Sequence, residues 1–281
     1  GAEGAQTDGP AGWAEVLGGS GVQRSSGGVD GYDTHMRGIA VGADGRLPEG
    51  PLAFGLLLGA AIGRIESEAK GDDGSTDIDS HFAAVYGSGD LAGLRLSGQL
   101  LAAHDSYDSR RSVAVGALGA SPSGSSHGWG LAGGAAVARE IRLGPALALT
   151  PTAGLRLGRT WRPAFDERDG GAANLAVAAA AQTSLRSRLG MQLDYARGPA
   201  TAGLSLGWSH EFLDDGAESE ARLAGGAFTV ASAPPGRDSL DAGAAVGIAL
   251  GEAVTLEAGY RLSATRSSTA HAGTASLRIT W

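Results

Sequence analysis

The sequence predicts an all-β fold, a transmembrane antiparallel up-and-down β-barrel of about 12 strands. Apolar and polar residues alternate with a period of two along most of the chain, as in strands that have one apolar face. The polar connections between these segments are alternately short and long, which is how outer-membrane barrels are built. Aromatic residues recur near the segment ends, where a membrane-spanning barrel meets its two interfaces.

The alternation is clearest in the last 28 residues, 254–281, which predict a β-hairpin with one apolar face and one polar face. The apolar phase continues to the C-terminus and ends on Trp281. Similar half-apolar stretches occur at 52–63, 185–195 and 202–208. The full set of predicted strands is 13–23, 31–43, 52–66, 76–87, 92–106, 126–141, 146–162, 174–195, 200–212, 227–250, 254–264 and 273–281.

Composition limits the function classes that fit this chain. No window holds the roughly 18 uncharged apolar residues that a transmembrane helix requires. The absence of cysteine excludes disulfides and thiolate metal sites. The net charge of −8, with Lys70 as the one lysine, leaves no basic stripe for phosphates, so nucleic-acid binding is not expected.

A soluble sandwich or lipocalin-like barrel would show the same alternation, so the aromatic and polar positions have to distinguish it from a membrane barrel. A soluble core buries its aromatic residues, whereas a membrane barrel places them in two rings. The predicted membrane-interface aromatics are Trp13, Phe54, Tyr86, Tyr195 and Trp281 beside short connections, and Trp129, Trp161, Trp208 and Phe212 near long ones.

The polar face mixes charged residues with many glycines and alanines, which suits a lumen that holds water or a threaded polypeptide. A solvent-facing sheet usually carries fewer glycines. The predicted lumen-facing polar residues are Asp79, His81, Arg95, Gln99, Arg156, Arg186, Arg188, Asp194, Glu211, Asp241, Glu257, Arg261 and Arg278.

Several loose motifs occur in a fixed order along the chain. They are W-S-H-E-F at 208–212, Phe228 followed by P-P-G-R-D at 234–238, G-Y-R at 259–261, and L-R-I-T-W at 277–281. Together with the count of twelve segments, they resemble the C-terminal translocator β-barrel domain of type Va autotransporters, and the likeness covers nearly the whole chain from Trp13.

The resemblance implies a barrel in the outer membrane of a Gram-negative bacterium that exports and anchors an N-terminal passenger by type V secretion. It implies a monomer surrounded by outer-membrane lipid, without a cofactor, whose pore holds a linker helix. The residues Leu277, Ile279 and Trp281 are then the signal for the barrel assembly machinery, although many members have Phe where this chain has Trp281.

On this interpretation residues 1–12 are a linker remnant and 13–281 are the barrel. Residues 1–11 are too few and too rich in glycine for the usual linker helix, so most of that helix is expected upstream.

Candidate chemistry is sparse. Residues 124–128 match G-x-S-x-G and 128–133 match G-x-G-x-x-G, but neither has the strand-turn-helix setting that its chemistry requires. The six histidines show no metal-ligand spacing, and the acidic pairs at 72–73, 166–167 and 214–215 suit solvated loops. Some relatives cleave their own linker, for which the candidate acids are Asp79, Asp194, Glu211, Asp241 and Glu257. No scissile motif is evident in 1–12, and we expect no enzymatic activity.

Two other functions remain open from the sequence. An outer-membrane barrel enzyme of the protease or lipase type would need acids and histidine or serine clustered near the long loops. A passive porin or adhesion barrel would need no such cluster.

Overall fold

A computed structural model describes residues 9–26, 28–47, 50–67, 74–115, 118–213, 218–233 and 236–281. Twelve long strands, labelled here in chain order, make up most of it: β1 Ala11–Gln23, β2 Tyr32–Arg46, β3 Leu52–Ser67, β4 Ser75–Leu91, β5 Leu94–Arg110, β6 Ser123–Ala138, β7 Leu147–Arg162, β8 Ala180–Arg197, β9 Ala200–Glu211, β10 Asp238–Leu250, β11 Val254–Ala264 and β12 Ser268–Thr280. Among the described residues, no helix is long and apolar enough to cross a membrane.

The twelve strands pair antiparallel with their neighbours in the sequence, and the last strand pairs with the first. The β1–β12 seam runs from Ala11 opposite Thr280 to Gln23 opposite Ser268. The sheet is therefore closed, and no strand edge is left along the wall. This confirms the predicted antiparallel up-and-down barrel.

The register fixes the dimensions of the barrel. A row of directly paired residues that starts at Tyr195 on β8 and passes once around the wall returns to β8 at Ala181, a displacement of 14 residues. With a rise of about 3.4 Å per residue and a strand spacing of about 4.8 Å, this shear tilts the strands by about 40°. The circumference is then about 75 Å and the backbone radius about 12 Å.

At one end of the barrel, connections of two or three residues join β4 to β5, β8 to β9 and β10 to β11. Between β4 and β5 the turn consists of Ala92 and Gly93, both with positive φ (52° and 77°), as a two-residue hairpin turn of type I′ requires. We call this end the turn end and the opposite end the loop end.

The loops at the loop end have structure of their own. Segments Phe165–Asp166, Leu175–Val177, Glu218–Leu223 and Gly226–Ala231 form a four-stranded sheet, and Val113–Val115 pairs with Leu118–Ala120. A short 3₁₀ helix spans Gly171–Ala173, and the two-residue strand Ile141–Arg142 pairs with β7 near the turn end. Residues 1–8 of the predicted linker and the acidic pairs at 72–73 and 214–215 lie outside the described residues.

The apolar side chains cover the outside of the wall, and the described residues form no central hydrophobic core. Among the described residues, the buried hydrophobic ones are all alanines: Ala11, Ala40, Ala221 and Ala233. Leucines of the strand centres are exposed, as with Leu206 at 67%. Such an inverted distribution is expected of a wall that faces lipid.

Candidate functional site

The inner face of the barrel is identified by hydrogen bonds between strands that are not neighbours. The indole Nε1 of Trp13 on β1 donates to the hydroxyl of Tyr86 on β4, at 3.0 Å. Two strands lie between them, so the path along the wall is about 14 Å, and only the concave side can bring the two side chains together. Residues alternate between the two faces along a strand, and directly paired residues of neighbouring strands share a face. The contact between Trp13 and Tyr86 therefore assigns a lumen face and an outer face to every strand of the barrel.

Most of the predicted lumen residues lie on the lumen face. They are Arg95, Gln99, Arg156, Arg186, Arg188, Asp194, Glu211, Asp241, Glu257, Arg261 and Arg278. Each alternates with apolar residues of the outer face, and Leu155 and Leu189, for example, are 58% and 54% exposed.

Two predicted lumen residues are on the other side. Asp79 and His81 share the odd-numbered phase of β4 with Val85, which is 56% exposed on the outer face. The phase prediction was wrong for β4 because Tyr86, predicted as a membrane-interface aromatic, points into the lumen, and Phe82 shares its phase. Phe82 lies directly over Gly59 of β3, and the absence of a side chain at Gly59 makes room for the ring.

Trp13 and Tyr86, predicted as membrane-interface aromatics, belong to a lumen cluster near the turn end. The Tyr86 hydroxyl donates to Oδ2 of Asp44 at 2.9 Å. The Arg278 guanidinium binds both carboxylate oxygens of Asp44, with Nη1 3.1 Å from Oδ2. This cluster, called the seam cluster below, connects β12 to β2 across β1, so it fastens the strands that close the barrel.

A basic wall lies further toward the loop end. Arg156 on β7 is directly opposite Arg186 on β8. Arg186 lies 3.6 Å from Glu211, and Arg188 lies 4.0 Å from Asp241. Within the described parts of the chain no carboxylate pairs with Arg156, so this side of the lumen carries uncompensated positive charge.

Glu211 is the acid most firmly held in the lumen. It ends β9 above the apolar band, where its carboxylate accepts hydrogen bonds from Ser184 Oγ (2.5 Å), Leu185 N (2.8 Å) and Leu213 N (3.2 Å). Burial acts to raise its pKa, but these hydrogen bonds and the Arg186 charge outweigh burial and lower the pKa below its ordinary value. Glu211 therefore stabilises the barrel at neutral pH, and this stabilisation is lost as the pH falls through the lowered pKa.

The loops of β5–β8 fold over the loop-end rim. Arg111 forms a bidentate ion pair with the buried Glu167 (2.7 Å for the shortest contact), and Glu167 also accepts from Leu175 N at 2.8 Å. Phe165 lies against Gly124, a lumen-face position of β6, and beneath the Arg162 guanidinium, 4.9 Å from the ring centre. The small loop sheet is thus anchored to the inner side of the rim.

The remaining predicted interface aromatics all point outward. Phe54, Tyr195 and Trp281 are near the turn end, and Trp129, Trp161, Trp208 and Phe212 are toward the loop end. Trp281 is 70% exposed, and its ring lies over Gly12 at the seam. Leu277 and Ile279 share its outward phase.

The sequence model of the family "Autotransporter beta-domain" matches residues 12–261, most of the chain. The chain belongs to the autotransporter β-domain family. As a member of this family it is an outer-membrane translocator domain of a Gram-negative bacterium, linked to a passenger that it exports.

Solved structures of autotransporter domains share this fold. The translocator domain of the autotransporter NalP from Neisseria meningitidis superimposes with a TM-score of 0.79 at 18% identity, covering 99% of this chain and 90% of the other. The β-domain of the Bordetella autotransporter BrkA gives 0.68 at 19%, covering 98% and 100%. The transport unit of AIDA-I from Escherichia coli gives 0.61 at 12%, covering 96% and 90%. A search of curated protein sequences gave no match.

Sequence reasoning missed Asp44, the carboxylate of the seam cluster. The predicted strand 31–43 ends one residue before it, yet Asp44 lies within β2 at the centre of the seam cluster. The signal available was the stretch 39–45, in which Ile39, Val41 and Ala43 alternate with small residues up to Asp44. That alternation could have extended the strand past residue 43.

Proposed function

We propose that the lumen guides the passenger chain during export and afterwards holds the linker that joins passenger to barrel. The observation that carries this proposal is the size and charge of the lumen. A backbone radius of about 12 Å, less the side chains that line the wall, leaves a channel about as wide as one α-helix, whose diameter is about 10–12 Å.

The charge of the wall supports a polypeptide occupant. Arg156 and Arg261 face the lumen without an ion-pair partner among the described residues, and Arg186 stands beside Arg156. Charges in a membrane protein are costly unless they are paired or wet. Acidic side chains of a linker helix would neutralise this wall at little cost, because the arginines are already oriented inward.

The domain division follows from this proposal. Residues 13–281 are proposed as the barrel and residues 1–12 as the end of the linker, although β1 begins at Ala11, two residues before the predicted boundary. We propose that the barrel acts as a monomer, and that its C-terminal residues Leu277, Ile279 and Trp281 are read by the outer-membrane assembly machinery. Their outward phase at the seam would present them to such a receptor.

We also propose that the domain has no catalytic activity of its own, including linker cleavage. Most of the candidate acids already accept hydrogen bonds from neighbouring side chains. Asp241 accepts from Ser209 at 3.3 Å, Asp194 accepts from Gln192 at 2.8 Å, and Glu211 accepts from Ser184. Ser126 of the G-x-S-x-G match is buried on the lumen face, whereas His127 is on the outer face of the same strand, so the two cannot form a hydrolytic pair.

Cysteine accessibility tests the proposed occupant of the lumen, since the sequence has no native cysteine. Gln99→Cys introduces a thiol on the lumen face, and Leu100→Cys places one on the outer face of the same strand. A water-soluble maleimide should label Gln99→Cys in the isolated barrel, and about tenfold or more slowly in the passenger-bearing protein because the linker blocks the lumen. Leu100→Cys should stay unlabelled in both, since lipid or detergent covers it.

Equal labelling of Gln99→Cys with and without the passenger would contradict a linker in the lumen. Faster labelling of Leu100→Cys than of Gln99→Cys would contradict the assignment of the two faces.

A further inference from the structure

All six histidines lie on the outer face, toward the loop end. They are His35, His81, His104, His127, His210 and His271. Each step along a strand rises about 2.6 Å along the barrel axis and each step across a register row about 3.1 Å, which puts these histidines about 22–36 Å above Tyr195. Because the apolar band of such a barrel is about 25 Å tall, they stand at its upper edge and beyond it.

Three of these histidines form one continuous surface with two tryptophans and an arginine. We call it the β4–β7 patch, and its members are His81, His104, His127, Trp129, Arg159 and Trp161. His81 is directly opposite His104, His104 is opposite Trp129, and Trp129 is opposite Trp161. The patch thus crosses four adjacent strands without a gap.

Ring contacts order the patch. The His104 and His127 rings stack with their centres 5.7 Å apart, and His104 meets the Trp129 ring edge-on at 4.6 Å. The Arg159 guanidinium lies over the Trp161 ring, 5.5 Å from its centre. Ser106 Oγ lies 3.1 Å from Nδ1 of His127. These contacts hold the side chains in place while His81, His127, Trp129 and Arg159 stay exposed.

The hydrogen-bond donors of the patch and its arginine charge suit an anionic lipid headgroup. Arginine donates five N–H groups and cannot lose its charge, and each histidine supplies at least one N–H donor. Two carboxylates lie on the outer face beside these donors: Asp79, opposite Ser106 on β5, and Asp108, which accepts a hydrogen bond from Ser125 Oγ at 2.6 Å. Phosphate oxygens are the anions that arginine binds best, and tryptophan favours the same interfacial depth.

We propose that the β4–β7 patch binds the phosphate groups of a phosphorylated glycolipid in the outer leaflet of the outer membrane. The indoles of Trp129 and Trp161 contact the boundary between headgroup and acyl chains, and Arg159 and the histidines donate to the phosphate. Elsewhere on the outer face, on β9, His210 and Trp208 both contact the carboxylate of Asp238. The Nδ1 atom of His210 lies 2.9 Å from Asp238 Oδ1, and Nε1 of Trp208 lies 3.1 Å from the same oxygen. A carboxylate already occupies those donors, which makes them less suited to a phosphate than the donors of the β4–β7 patch.

Native mass spectrometry of the barrel in detergent tests this site. The probes are diphosphorylated lipid A and the same lipid without its phosphates. The patch variant combines His81→Gln, His104→Gln and Arg159→Gln, and the matched control combines His35→Gln, Arg37→Gln and His271→Gln, which lie on the outer face away from the patch. The parent and the control should bind the phosphorylated lipid equally, and the patch variant about tenfold less, because charge-assisted hydrogen bonds are lost.

The proposal is overturned if the patch variant binds like the parent, if both variants lose binding equally, or if the parent does not distinguish the two lipids. A heat-modifiable band on gels checks that each variant is folded. Should the triple variant not fold, Arg159→Gln alone is compared with Arg142→Gln at a turn, and equal lipid binding by these two variants would equally overturn the site.

Discussion

At the scale of single residues, the lumen accommodates aromatic side chains because glycines lie opposite them. A Cβ at position 42 would be 2.5 Å from Cζ2 of Trp13, and one at position 55 would collide with the Tyr86 ring. Gly42 and Gly55 therefore let two large rings lie flat against the inner wall. Phe82 lies over Gly59 of β3 in the same way.

The first residue-scale prediction compares adjacent positions on β9. Leu206→Arg places a charge on the outer face, where it costs about 2–4 kcal/mol near the bilayer midplane, whereas Ser205→Arg enters a wet lumen. We expect Leu206→Arg to reduce the assembled barrel strongly in outer-membrane fractions and Ser205→Arg to reduce it little. Equal losses would show that the two faces of β9 are misassigned.

The seam cluster gives a second prediction. Asp44→Asn leaves the Arg278 charge in a site where its side chain is only 17% exposed, so the free energy of unfolding should fall by about 1–3 kcal/mol. Adding Arg278→Gln should recover part of this loss, because no unpaired charge remains. Denaturant unfolding in detergent measures both variants, and additive losses would mean that the two residues are not coupled.

The sequence predicted the faces of strands whose outer positions are leucine, such as β3 and β9. It failed on β4, where Phe82 and Tyr86 are the largest apolar residues and yet point inward. Alternation with a period of two shows only which residues share one face of a strand, and it does not show which face points into the lumen. Which face points into the lumen is shown by contacts between strands, such as Trp13 with Tyr86, and the sequence of one strand does not contain these contacts.

At the scale of elements, most predicted strands lie within a few residues of the observed ones, because alternation and turn residues are local signals. The largest differences are 174–179 and 227–233, which extend predicted strands but belong to the loops, while the predicted strand residues 234–235 lie outside the described residues. Leu175–Val177 pairs with Glu218–Leu223, and Gly226–Ala231 completes the same small sheet. These segments alternate like barrel strands, so only their long-range partners distinguish them.

The seam between β1 and β12 depends on the chain end. The Trp281 backbone N–H donates to the Pro10 carbonyl at 3.2 Å, and its ring covers Gly12. An indole at the membrane interface buries its rings and keeps its N–H wet. The terminal residue thus contributes to both strand pairing and interface contact.

Deleting Trp281 is therefore expected to lower the assembled barrel in cells. If the assembly machinery recognises the C-terminal residues as proposed, the amount of assembled barrel falls more in cells than it does on refolding in detergent. In detergent the deletion removes only one backbone hydrogen bond and the contact of the ring with Gly12. Ile248→Ala, which trims an outer-face residue away from the seam, is the control. Outer-membrane levels equal to the parent would refute a signal role for Trp281.

At the scale of the whole molecule, closure determines function. A sheet edge in lipid would leave unpaired backbone groups that cost several kcal/mol each, so the wall has to be continuous. The shear of 14 and twelve strands then determine the radius, and the radius determines what the lumen can hold. The lumen charges, the loop-end rim and the outer histidine band are all arranged on this one closed wall.

Cross-linking across the seam tests the closed register most directly. Gly18 of β1 is directly opposite Gly273 of β12, both on the outer face with room for a Cβ, in a protein without other cysteines. We predict that Gly18→Cys with Gly273→Cys forms a disulfide in the assembled protein and changes its mobility on denaturing gels. Gly18→Cys with Ala275→Cys, two residues out of register, should form little. No cross-link in the first pair, or a stronger one in the second, would contradict the closed barrel described here.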